Sequence, residues 1–206
     1  VPIDEEVGEE LLLAEDLDLV LHPFEDGLVG VGVAVGEPFG AQVAEELLVL
    51  DDGAAGVIVP YVEQPEVVRS MVGATKLRPL KGARVRDALK GEMLEPELQG
   101  YIESHNANHI LLTNIESVPA MENLDQILAE KGLDCVLIGP HDLSTSLGVP
   151  EQYDHPRFLE ACAFILGKAR AAGIGAGIHH WLSPEKQMQF IEMGANLLIH
   201  KADAIF

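Results

Sequence analysis

The amino-acid sequence predicts an α/β fold, a (β/α)8 barrel of the TIM type with a shortened first strand and a shortened last helix. Three observations carry this expectation. Short β-branched runs alternate with longer helical segments, as in consecutive βαβ units. Most strand runs are apolar almost without interruption, as expected for strands covered on both faces. Seven strand–helix repeats follow one another, and no linker or low-complexity boundary divides them, so residues 1–206 are expected to form a single barrel domain.

The strands are expected at Leu17–Leu21, Val29–Val35, Gly56–Pro60, Ile110–Ile115, Cys135–Ile138, Ile174–Ile178 and Asn196–His200, with a remnant of an eighth at Val1–Ile3. Between them, helical patterns run over Pro38–Leu50, Glu66–Lys76, Pro96–His105, Val118–Lys131, Pro156–Ala172 and Pro184–Met193. Proline stands at or near several helix starts (Pro96, Pro119, Pro156, Pro184) and glycine near several ends (Gly132, Gly173, Gly194), each where helix chemistry favours it. In the segment Pro156–Ala172, the residues Phe158, Leu159, Cys162, Ile165, Leu166 and Ala169 form one apolar stripe, which reads as core. Arg78–Glu95 has little apolar periodicity and reads as a surface excursion.

Composition narrows the partners. Thirteen Lys and Arg oppose 34 Asp and Glu, a formal charge of −21, which disfavours nucleic acid and anionic lipid surfaces. An anionic substrate would meet a repulsive field, so its site must supply local positive charge, and a bound cation would do so. No apolar run approaches the roughly 18–20 residues that cross a bilayer. The acidic opening Val1–Glu10 lacks the features of a signal peptide, so a soluble, cytoplasmic protein is expected. Cys135 and Cys162 lie in apolar stretches and outside any CxxC pair, which suits reduced core residues.

In a parallel barrel, function gathers at the carboxyl ends of the strands. Glu116 follows the run Ile110–Ile115, and Asp142 follows Cys135–Ile138 by a few residues; they are separated by one strand–helix–strand unit. If the two strands are neighbours, the ~4.8 Å ladder spacing brings both carboxylates within reach of one hard cation such as Mg²⁺ or Mn²⁺. The competing readings are local. Asp142 could serve only as N-cap of a short helix at Leu143–Leu147, and Glu116 could be a solvated residue ahead of the cap Ser117. Gly139 would let a ligand carboxylate approach backbone N–H groups, or simply make a tight turn. His179, His180 and Trp181 follow a strand and are expected at the same mouth, whereas His155 reads as a structural residue at a helix start.

At these residues the chain resembles the HpcH/HpaI aldolase and citrate lyase family. The resemblance rests on Gly53-Ala-Ala-Gly-Val-Ile-Val-Pro-Tyr-Val-Glu63, Asn114-Ile-Glu-Ser-Val-Pro-Ala-Met-Glu-Asn-Leu124 and Ile138-Gly-Pro-His-Asp-Leu-Ser144. It implies a (β/α)8 barrel in which Glu116 and Asp142 hold Mg²⁺, Mn²⁺ or a similar ion such as Co²⁺. It further implies that the turn Gly139, Pro140, His141, Asp142 receives the carboxylate of a small 2-oxo acid, and that the protein assembles as a homo-oligomer, a trimer or hexamer. The implied activity is retro-aldol cleavage of a 4-hydroxy-2-oxo acid to pyruvate and an aldehyde. An acyl-CoA lyase, or a barrel that has lost catalysis and serves as a binding or assembly module, are the alternatives.

The chain departs from the family pattern near its start. Where relatives carry an acidic-x-Glu-His motif, the stretch reads His22-Pro-Phe-Glu25-Asp26-Gly27, and where they carry an arginine on the next strand stands Ala34. His22 and His179 are therefore the two candidates for acid/base work.

Overall fold

The computed structural model describes residues 12–13, 31–33, 50–51, 53–181 and 183–200. Within them lie strands β1 (Leu12–Leu13), β2 (Val31–Val33), β3 (Gly56–Val59), β4 (Ile110–Ile115), β5 (Cys135–Ile138), β6 (Gly175–His179) and β7 (Leu197–Ile199). The helices are α1 (Pro65–Lys76), α2 (Gly82–Leu89), α3 (Pro96–Asn106), α4 (Val118–Glu122), α5 (Leu124–Leu128), α6 (Pro140–Ser146), α7 (Pro156–Ala171) and α8 (Pro184–Glu192).

Strands β2 to β7 pair in chain order, each parallel to the next, which is the order of a (β/α) barrel. The strand β1 departs from that pattern: it pairs antiparallel with β7 over two residues. The expected strands Leu17–Leu21 and Val1–Ile3, and all but the end of the expected helix Pro38–Leu50, lie outside the described residues.

Alternate strand residues bury toward two different cores. Val57, Val59, Leu111, Ile115, Val136, Ile138, Ala176 and Ile178 pack with helix residues such as Val68, Met71, Phe158 and Ile165. Among the described residues, Ile58, Leu112, Cys135, Leu137 and Leu197 form a separate cluster with Ile110 and Ile199 against it, on the lumen side of the barrel. This double burial is why the strand runs are apolar throughout. Cys135 falls in the lumen and Cys162 on the helix side; both are free thiols, and burial pushes each up to about 12.

Two helical expectations need correction. The pattern over Val118–Lys131 is not one helix but α4 and α5, separated at Asn123, whose side chain donates to the Glu63 carbonyl at 2.8 Å instead of lying along a continuous helix. The excursion Arg78–Glu95 stays on the surface but contains α2, none of whose residues is buried. Val85 and Leu89, four residues apart, suffice to dock it, because Gly73 on α1 has no Cβ to hold them off.

Candidate functional site

The register brings three of the predicted residues, Glu116, Gly139 and His179, into one row. Ile115 of β4 pairs with Ile138 of β5, and Ile138 with Ile178 of β6. The residues one step further, Glu116, Gly139 and His179, therefore stand side by side at the carboxyl ends of three neighbouring strands. Ile115, Ile138 and Ile178 face the helices, so by the two-residue period of a strand the next positions turn toward the lumen.

Glu116 is 4% exposed, which overturns its reading as a solvated residue ahead of a cap. The cap itself is real: Ser117 Oγ accepts the Ala120 N–H at 3.2 Å. The Glu116 carboxylate is fixed at both oxygens. Its Oε1 accepts the backbone N–H of Tyr61 at 2.6 Å, and its Oε2 accepts Asn114 Nδ2 at 3.0 Å. Burial pushes the carboxyl above its ordinary range; the Tyr61 N–H works against this, the charge of Asp142 adds to it, and the Asn114 amide opposes it.

Asp142 is not an N-cap. The helix α6 starts earlier than expected, with Gly139 as N-cap and Asp142 inside the first turn, because Pro140 is pre-set for the first helical position. Asp142 is exposed while Glu116 is buried, so the pair presents one seated and one accessible carboxylate. Gly139 has a reason beyond a tight turn. A Cβ there would overlap Glu116 Oε2 and lie 3.1 Å from Glu116 Cβ, so the missing side chain is the space in which the carboxylate rests. Its φ of −86° is open to any residue, hence volume rather than backbone freedom demands glycine.

Pro140 is buried and has no N–H, which leaves the amides of Gly139, His141 and Asp142 as the donors of this turn. His141 points outward, its Nδ1 3.5 Å from Glu151 Oε1, and its carbonyl accepts the hydroxyls of Ser144 and Thr145 at 2.9 Å each.

Of the histidines, His179 ends β6 at the mouth and is half-buried. His180 is wholly buried, packed edge-on against Tyr153 with ring centroids 4.7 Å apart and near Trp181 and Phe190. Desolvation, and after it the neighbouring His179, lowers its pKa to about 4, so it is a neutral core ring. His155 is structural as expected, its Nδ1 capping α7 by accepting the Arg157 N–H at 3.2 Å. His22 and Ala34 lie outside the described residues.

Sequence reasoning missed Asn114 and Tyr61 as partners of Glu116. Asn114 was within reach of it, since a residue two positions earlier on a strand shares the face of Glu116. Tyr61 comes from another strand exit, and no local signal announces its amide.

Comparison with known proteins defines the class. The model of the HpcH/HpaI aldolase/citrate lyase family matches residues 28–200, and this chain belongs to that family. Within it, the chain is similar to the 2-keto-3-deoxy-L-rhamnonate aldolase of Salmonella typhimurium, 36% identical over 160 residues that make up 76% of this chain and 58% of the relative. The chain thus spans a little under three fifths of the length of that relative. Among solved structures it resembles the HpcH/HpaI aldolase from Desulfitobacterium hafniense, with a TM-score of 0.68 at 28% identity over 86% of this chain and 67% of that one. A family protein from Burkholderia cenocepacia follows at a TM-score of 0.66 and 25% identity, over 84% and 66% of the two chains. These likenesses bear out the α/β barrel.

Proposed function

We propose that this chain forms the active-site barrel of a metal-dependent pyruvate aldolase, which cleaves a 4-hydroxy-2-oxo acid into pyruvate and an aldehyde. The observation that carries the reading is the seat of Glu116: a buried carboxylate at a strand exit, fixed at both oxygens and cushioned by Gly139.

The residues fit a divalent cation. A buried carboxylate whose pKa is raised chiefly by desolvation is stabilised by a positive charge, and Asp142 provides a second oxygen ligand. The donors are hard oxygens, which suit Mg²⁺ or Mn²⁺. Among the described residues no three His, Cys, Asp or Glu side chains gather as a metal cluster. When bound, the cation would stabilise the negative charge that develops on the 2-oxo oxygen as the C3–C4 bond breaks.

The chain's own groups divide the remaining work. Glu116 and Asp142 hold the cation. The amides of Gly139, His141 and Asp142 orient the substrate carboxylate, as preorganised donors that need no rearrangement during the reaction. His179, in the same row as Glu116 and Gly139, takes the proton of the C4 hydroxyl. The similarity to a 2-keto-3-deoxy-L-rhamnonate aldolase fits a 2-oxo-3-deoxy sugar acid as substrate class.

Incubation with pyruvate, an aldehyde and Mn²⁺ is expected to give a carbon–carbon-bonded product, and a chelator should abolish it. Glu116→Gln and Asp142→Asn should each weaken Mn²⁺ binding in calorimetry by about tenfold or more. Turnover that persists in chelator, or unchanged binding in both variants, overturns the reading.

A further inference from the structure

Among the described residues only Tyr61 and Glu151 adopt a positive φ without being glycine, at 56° and 58°. Such backbone strain in an L-residue persists where surrounding structure over-determines it. At Tyr61 two demands meet. Its N–H is committed to Glu116 Oε1, 55 residues away, at 2.6 Å. The next residue, Val62, is 1% exposed and belongs to the core between sheet and helices, from which the chain must run on into α1. With the amide plane before Tyr61 turned to the carboxylate, a left-handed step at Tyr61 carries the chain from the one to the other. The ring takes no part in either demand, since Tyr61 is 63% exposed.

We propose that the left-handed backbone of Tyr61 is a positioning device for Glu116, and that the residue acts on cation binding through its amide and not through its ring. The inference deepens the reading of Glu116 as a metal ligand and rests on it. Tyr61 touches no reacting atom; it sets where one ligand oxygen sits and leaves Oε2, on the Gly139 side, with a defined direction.

The backbone account makes a ranking that a side-chain account does not. Glycine and asparagine adopt the left-handed region readily and β-branched valine does so poorly. Tyr61→Gly and Tyr61→Asn both delete the ring; each should keep the Mn²⁺ dissociation constant within about threefold of the parent, while Tyr61→Val should raise it about tenfold or more. Because the ring is largely in solvent, its removal opens no core cavity. In a Glu116→Gln background, Tyr61→Val should bring no further loss of Mn²⁺ affinity. Equal losses in all three variants would assign the effect to the ring, and an unchanged Tyr61→Val would remove it altogether; either overturns the inference.

A metal-free measurement separates this failure from failure of the aldolase reading. The urea midpoints of Tyr61→Val, Glu116→Gln and the double variant should be non-additive, because both substitutions weaken the same contact, valine by displacing the amide and glutamine by removing the charge that the amide meets. Should the parent bind no Mn²⁺, the metal reading falls while non-additive midpoints still uphold the coupling of Tyr61 to Glu116. Additive midpoints overturn that coupling whatever the metal does.

Discussion

The decisive residue-scale feature is that glycine and glutamate share one volume. Gly139 has no Cβ, and Glu116 Oε2 occupies the place where one would be. A methyl group there cannot be absorbed by a flexible neighbour without moving the carboxylate, which is held from its other side by Tyr61 and Asn114. Gly139→Ala is therefore expected to destabilise the protein by about 1–3 kcal/mol, the usual range for overpacking. It should weaken Mn²⁺ binding at the same time. Urea unfolding and calorimetry on one preparation test both halves, and loss of stability with intact Mn²⁺ affinity would separate the glycine from the site. The pair is also asymmetric: the buried Glu116 needs a partner for its charge, whereas Asp142, exposed in the first turn of α6, is at no such cost.

At the scale of elements, three strand exits are tied to one another by side chains of their loops. Ser117 caps α4 by accepting the Ala120 N–H, and its hydroxyl also donates to Glu63 Oε1 at 2.7 Å. Asn123 reaches the Glu63 carbonyl, and Ser146 at the end of α6 accepts the Val118 N–H at 2.9 Å. The loop after β4 is thereby fastened to the loops after β3 and β5, the segments that bring Tyr61 and Asp142 to Glu116. Ser117→Ala removes a cap and a bridge together. The expected loss is about 1 kcal/mol, typical of a helix N-cap, read from the urea midpoint. These bonds are modest singly, but they act on a site whose geometry depends on the relative placement of three loops.

The whole molecule carries a formal charge of −21, so acid titration relieves self-repulsion while it also protonates histidines. His180 makes the second effect separable. Its pKa is lowered from 6.5 to about 4 by burial and then by His179. Below 6.5 the unfolded chain takes up a proton at this ring and the folded chain does not, so folding stability contributed by the site is full above 6.5 and declines as pH falls toward about 4. His180→Phe places an aromatic ring among Tyr153, Trp181 and Phe190 without a titrating group. The variant should show a shallower loss of stability than the parent between these two pH values, measured by urea midpoints at a series of pH. Identical slopes would mean that His180 titrates alike in both states. Among the described residues, no helix is long and apolar enough to cross a membrane.

The sequence by itself determined the order of the strands from Gly56 to Ile199 and of most helices between them, though not α2 or the break at Asn123, because periodicity and the punctuation by proline and glycine are local properties of the chain. It also placed Glu116 and Asp142 one strand–helix–strand unit apart, on strands that the fold makes neighbours. Tertiary structure alone decided what those positions mean. Glu116 is buried rather than solvated, Gly139 is a space rather than a turn, the cap of α6 is Gly139 rather than Asp142, and a left-handed Tyr61 closes the carboxylate's second side. The physical reason is distance along the chain: the bond from Tyr61 to Glu116 spans 55 residues, and no window of local pattern contains both ends.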